Sequence, residues 1–175
     1  MIPHRADNFG TYFVTTSTWN KRSLFQVDEM AKLLIETLYR YRKEGKYLLH
    51  EFVIMPDHFH ALITPTGITL ERAMQLIKGG YSYAVRQTGR TSLEIWQKGF
   101  SDHRVRDVSD FNQHRSYILQ NPVRKRLSSM PQEYAWSSAA NYDLDEVPQR
   151  LKPQFSPTDT ARLKPCPYET RPGEE

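Results

Sequence analysis

A chain of 175 residues, with one cysteine (Cys166), suits a single domain with a substantial core and excludes an intramolecular disulfide. Its formal charge of +4 is uneven: residues 1–142 hold 19 of the 24 Lys and Arg and 13 of the 20 Asp and Glu, a net +6, whereas residues 143–175 hold 5 and 7, a net −2. A basic body points to a polyanionic partner, nucleic acid first, with improved solubility as the plainer alternative.

Gly10 to Thr18, rich in β-branched and aromatic residues, predicts a first strand. Asp28 is the expected N-cap of a helix reaching about Glu44, with Met30, Leu33, Leu34, Leu38 and Tyr41 at helical spacing and Gly45 as the stop. Tyr47 to Met55 predicts a second strand, Pro56-Asp57 a tight turn, and His58 to Thr64 a third strand. After the Pro65-Thr66-Gly67 loop, Thr69 caps a helix through Glu71, Met74 and Ile77 to about Arg86. Gly79-Gly80 weakens that helix and suits a close backbone approach. Leu93 to Val105 is expected to hold a fourth strand, with Trp96, Phe100 and His103 in it or beside it. Ser109 is the expected N-cap of a last helix through Phe111, Ile118 and Leu119, which Pro122 should end or kink near Asn121. Tyr134-Ala135-Trp136-Ser137-Ser138 reads as a short packed turn.

The order β-α-β-β-α-β predicts an α+β, ferredoxin-like βαββαβ fold: an antiparallel sheet with helices on one face, the other face free to carry a site. A C-terminal tyrosine-bearing helix follows. The division expected is one domain over residues 1–142 and a Pro-rich tail over 143–175, which holds 6 of the 11 prolines and is ordered only where it docks. No apolar run approaches the ~18–20 residues that cross a bilayer, and Met1-Ile2-Pro3-His4-Arg5 lacks the apolar region of a signal peptide. A cytoplasmic location without a membrane partner is the expectation.

The run Met55-Pro56-Asp57-His58-Phe59-His60 sets two imidazoles two residues apart, on one face of a strand. Neighbouring imidazoles suit a divalent metal, although such pairs also occur as surface polar residues. In the last helix Tyr117 and Asn121 are four apart and share a face. A phenol, two imidazoles and an amide then form a compact set. The phenol, with an ordinary pKa near 10, attacks at neutral pH only with help, which a nearby cation supplies by favouring the phenolate. The plain alternative for Tyr117 alone is a core aromatic.

Taken together, Met-Pro-x-His-hydrophobe-His and Tyr117-Ile118-x-x-Asn121-Pro122-Val123-Arg124 resemble the REP-associated tyrosine transposases. These are a branch of the single-tyrosine HUH (IS200-like) transposases, HUH meaning His-hydrophobe-His. The resemblance runs from about Tyr12 to Asn141. It includes Phe13-Val14-Thr15, Trp96-Gln97-x-x-Phe100-x-Asp102-His103 and Trp136-Ser137-Ser138. It implies metal-dependent cleavage and rejoining of single-stranded or hairpin DNA through a 5′-phosphotyrosine, with Mg²⁺ or Mn²⁺ as cofactor. It makes Tyr117 the nucleophile and His58, His60 and Asn121 the metal ligands. Arg124-Lys125-Arg126-Leu127 departs from the family's small residue and glycine and makes the end of the motif more basic.

Lys78, Arg86, Arg104, Arg106, Arg115, Arg124, Lys125 and Arg126 are candidate phosphate contacts, and Tyr81 and Tyr83 candidate stacking platforms. His103 and His114 are further candidates near the site, with a structural role the plainer reading. Competing functions are a hairpin-binding regulator without cleavage, a relaxase or replication initiator of the HUH class, and a hydrolase that uses water. Oligomeric state, monomer or homodimer, is not legible.

Overall fold

The computed structural model describes residues 10–90 and 93–152. Four strands, β1 (Tyr12–Ser17), β2 (Tyr47–Met55), β3 (His58–Pro65) and β4 (Ser101–Arg104), form one sheet in the order β2-β3-β1-β4. Every neighbouring pair is antiparallel. Helices α1 (Asp28–Lys43) and α2 (Leu70–Gln87) cover one face, and α3 (Val108–Arg124) packs on the other against β2 and β3. This is the expected α+β arrangement.

Side-chain alternation divides the core between the faces. Val14, Phe59, Ala61 and Ile63 join Leu34, Leu38, Met74, Ile77 and Tyr81 under α1 and α2. Leu62, Val53 and Met55 meet Phe111 and Ile118 of α3, with Phe13 packed alongside. Burying a side chain such as Phe111 or Ile118 contributes ~2 kcal/mol, enough to hold α3 on the sheet. Phe13, Thr15, His58 and His60 alternate onto this α3 side.

One irregularity matters for the site. The β2–β3 register shifts between Leu49 and Glu51, a bulge at His50. The extra residue turns His50 and Glu51 both toward α3. His50 meets the Phe111 ring at 6.0 Å, and Glu51 receives the Arg115 guanidinium at 2.7 Å. The other edge of β2 is closed by the Trp136-Ser137-Ser138 segment: Ile54 N–H donates to Trp136 O at 2.8 Å, and Ser137 bridges to Val53. An edge capped in this way offers no free row of backbone groups to another chain.

Several element boundaries differ from the sequence expectation. Asp28 is the first residue of α1, and Val27 occupies the cap. Asp107, not Ser109, caps α3, its side chain accepting from Asp110 N–H at 2.9 Å. The helix passes Asn121 and ends at Arg124, with Pro122 inside its last turn. The missing proline N–H costs one hydrogen bond there, and the turn is closed by Lys125 N–H to Asn121 O and Leu127 N–H to Pro122 O. The fourth strand is only four residues, paired with Tyr12 to Thr15 of β1; upstream, Trp96 contributes a single bridge to Thr18. Gly80 is the close approach expected of the glycine pair: a Cβ there would sit 2.5 Å from the Tyr41 hydroxyl of α1, whereas Gly79 has open space.

Residues 143–152 dock on the body. Asp145 pairs with Arg42 at 2.8 Å and accepts from Leu49 N–H at 2.7 Å, and Leu151 is buried in the α3-side cluster. The remainder of the Pro-rich segment, with Cys166, lies outside the described residues. Among the described residues no helix is long and apolar enough to cross a membrane.

Candidate active site

The turn at Pro56-Asp57 delivers His58 as the first residue of β3, with His60 on the same side of the strand. Their rings stand 4.8 Å apart, nearly perpendicular. Each is oriented through Nδ1. His58 Nδ1 lies 2.5 Å from the Asp57 carboxylate and His60 Nδ1 lies 2.7 Å from the Thr15 hydroxyl. His60 Nε2 is buried and has no hydrogen-bond partner among the described residues. Burial, helped by the neighbouring His58 and Lys21, pushes the His60 pKa down to about 3. The ring is therefore neutral and carries a lone pair.

A buried nitrogen of this kind, on a ring fixed through its other nitrogen, has the chemistry of a cation ligand. The residues present therefore fit a divalent metal.

Tyr117 reaches the same place from α3. Its ring meets His60 edge-on at 5.2 Å and Phe13 at 5.9 Å. Tyr117 is 38 % exposed, so a polymer can reach it, while His60 beside it is 5 % exposed. Asn121 lies one turn further along α3 and is buried. The Arg124 guanidinium carbon is 5.7 Å from the Tyr117 ring centre and exposed. The fold thus gathers His58, His60 and Tyr117, with Asn121 and Arg124 following Tyr117 on its helix. A cavity of about 600 Å³ lies elsewhere, lined by Tyr39, Arg42, Tyr47 and Asp145, and includes none of these residues.

Other candidates separate by position. Lys78, Tyr81, Tyr83 and Arg86 belong to α2, across the sheet from the histidines. Tyr81 is corrected to a core residue: it has no exposed surface and donates to Met30 O at 3.2 Å, so it cannot stack on a base. Burial lowers the Lys78 pKa, and its ammonium is engaged by the carbonyls of Gln97 and Gly99 at 2.9 and 2.6 Å, which makes it a brace for the loop before β4. Tyr83 is exposed. On the α3 side Arg115 and Arg106 are paired with Glu51 and Asp110. Lys125 and Arg126 are exposed there with Arg124, whereas Arg104, exposed on β4, lies across from Tyr12 on the opposite face of the sheet.

Sequence reasoning named Asp57 in the turn and Phe13 and Thr15 in the first-strand motif, but gave none of them a role at the site. Asp57 was visible as the residue before the motif. Thr15 and Phe13 needed the strand register, which sets Thr15 opposite His60 and Phe13 opposite Leu62.

A family model described as "Transposase IS200 like" matches residues 10–121, which include both histidines and Tyr117. A REP-associated tyrosine transposase of Escherichia coli K12 is 27% identical, over 70% of this chain and 74% of its own length. An uncharacterized protein of Haemophilus influenzae Rd is 28% identical, over 65% of this chain and 81% of its own. The solved structure of a REP-associated tyrosine transposase bound to a REP hairpin has a TM-score of 0.68 at 21% identity, covering 89% of this chain and 99% of that one, a likeness of fold. Because the family model spans well over half the chain and takes in the two-histidine strand and the tyrosine helix, the chain belongs to the IS200-like transposase family.

Proposed function

We propose that this protein cleaves and rejoins single-stranded DNA at a hairpin through a 5′-phosphotyrosine on Tyr117. The observation that carries the reading is the contact of Tyr117 with His60, whose buried Nε2 lacks a partner. A water-based hydrolase has no need of an accessible phenol against its metal ligands.

The hairpin partner is carried over from the relative solved with a REP hairpin. His58, His60 and Asn121 hold the cation, Mg²⁺ or Mn²⁺. When bound, it supplies charge stabilisation at the scissile phosphate and favours the phenolate. The Tyr117 phenol gives up its proton to solvent, its oxygen attacks phosphorus and forms the new P–O bond, and the bond to the departing 3′-oxygen breaks. That oxygen takes up a proton and leaves as a 3′-hydroxyl, while the 5′-phosphate stays on Tyr117. A second 3′-hydroxyl reverses the step and joins strands. One phosphodiester is exchanged for another, so no nucleotide cofactor is required. Arg124, beside the ring, and the exposed Lys125 and Arg126 supply phosphate contacts that hold the strand in line.

The test is a denaturing gel of the protein with a labelled hairpin carrying single-stranded flanks, in Mn²⁺. The wild type should give a slow covalent band. Tyr117→Phe, which keeps the ring, should lose it by at least roughly a thousandfold while still binding the hairpin. Equal nicking by both proteins would reject Tyr117 as nucleophile. Binding without nicking by either would favour the hairpin-binding regulator.

A further inference from the structure

A second constellation lies on the same side of the sheet. His103 comes from β4, and Asp110 and His114 from one face of α3, four residues apart. Each offers one ligand atom, and these atoms lie within 4.8 Å of one another. His103 Nε2 is 2.8 Å from Asp110 Oδ2, and His114 Nδ1 is 3.1 Å from Oδ1 and 2.9 Å from the Asp110 backbone oxygen. The two imidazoles stack at 4.7 Å. Arg106 also donates to Oδ2, from its backbone N–H at 3.0 Å and its Nε at 3.3 Å. Asp110 is 5 % exposed, whereas the His103 side chain is 40 % exposed, which opens the cluster to solvent on one side.

The geometry points to a second divalent-cation site made by His103, Asp110 and His114. Two imidazoles and one carboxylate from two elements form the donor set that transition cations take on one face, leaving the remaining positions to water. Imidazole donors select a borderline cation of the Zn²⁺, Co²⁺ or Ni²⁺ kind over Mg²⁺ or Ca²⁺. The carboxylate is buried and so is not an ordinary solvated acidic group, and the open His103 side gives the ion its entry path. Binding replaces the hydrogen bonds that now join the rings to Asp110: His103 Nε2 and His114 Nδ1 give up the protons they donate to its oxygens, and each neutral imidazole takes the tautomer with its proton on the other nitrogen.

The Phe13 ring separates this site from the two-histidine strand: it is 5.3 Å from the His60 ring and 4.6 Å from that of His114. A cation here ties β4 to the first half of α3. Because His114 lies one turn before Tyr117, it also fixes the helix that presents the tyrosine.

The experiment is Zn²⁺ titration of the full chain by calorimetry, with the Zn²⁺-induced rise in Tm measured in parallel. Three proteins are compared: wild type, His58→Ala/His60→Ala, and His103→Gln/His114→Gln. The cluster variant should bind one equivalent fewer than wild type, while the His58→Ala/His60→Ala protein keeps the equivalent that the cluster variant loses. At a hundredfold excess over Kd the retained ion should raise Tm by roughly 5–10 °C. If the double cluster variant does not fold, His103→Gln alone, at a half-exposed position, should weaken that equivalent at least tenfold. Unchanged stoichiometry in the cluster variant, or loss of all Zn²⁺ binding in His58→Ala/His60→Ala, would reduce the cluster to a hydrogen-bonded brace. The readout is independent of cleavage, so failure of the phosphotyrosine reading leaves it standing.

Discussion

At the scale of single residues, the nitrogen that His60 leaves free is set by what touches the other one. The Thr15 hydroxyl at Nδ1 fixes the ring and leaves Nε2 as the free nitrogen. Thr15→Val keeps the shape and removes the partner. Metal affinity should fall by about 10–100-fold, as loss of an outer partner does at other imidazole sites, and titration of Mn²⁺ into the full chain measures it. The convergence of His58, His60 and Tyr117 was legible because each sits at a spacing that its element enforces, period two on a strand and a shared face on a helix. Thr15 was not, because its role depends on the pairing register of two strands 45 residues apart. Tyr81 shows the opposite failure. An aromatic near lysines looks like a base platform, but its position on the helical stripe of Met74 and Ile77 turns it into the core.

At the scale of elements, α3 is held by a capped start and a clamp near its middle. Glu51, turned toward α3 by the β2 bulge, receives Arg115 Nε–H at 2.7 Å on one oxygen and the Ser138 hydroxyl at 2.5 Å on the other. Ser138 Oγ in turn accepts from Phe52 N–H at 3.1 Å. This clamp joins the tyrosine helix, the edge strand and the Trp136-Ser137-Ser138 segment. Glu51→Gln should cost about 1–3 kcal/mol, measured as a lower urea midpoint, because the buried Ser138 hydroxyl and the Arg115 guanidinium lose an ionised acceptor. Single-turnover cleavage should slow as well, since Arg115 is two residues from Tyr117. The sequence showed these elements through their periodicity. It hid the bulge, since an extra residue in a strand leaves the composition of Tyr47–Met55 unchanged. The α3 cap fell to Asp107 for a similar reason: Asp107 and Ser109 are both cap formers, and only the path of the chain leaving β4 decides between them.

At the scale of the whole molecule, the sheet works as a partition. One face is packed under α1 and α2 and carries stability; the other places the histidines against α3. The order of elements made this layering readable, while the docking of residues 143–152 through Asp145 and Leu151 was not, because no periodic pattern marks it. Burying histidines beside the site has a consequence for stability. Burial lowers the pKa of both His50 and His60, the latter to about 3. The unfolded chain takes up protons at about pH 6.5 that the folded chain refuses, so stability is full above that pH and falls as pH drops toward 3. The slope is at most about 1.4 kcal/mol per pH unit for each histidine. Urea midpoints in chelator between pH 7.5 and 5 check this, and a midpoint that rises on acidification would refute it.

The central claim rests on one covalent bond, and the most direct measurement is to locate it. The hairpin reaction in Mn²⁺ is stopped, digested with nuclease and trypsin, and analysed by tandem mass spectrometry. Cleavage after Arg115 and Arg124 isolates residues 116–124, a peptide whose one tyrosine is Tyr117. The account predicts a nucleotide attached through its 5′-phosphate to Tyr117. An adduct on another residue, or nicked DNA with free 5′-phosphates and unmodified peptide, would contradict it.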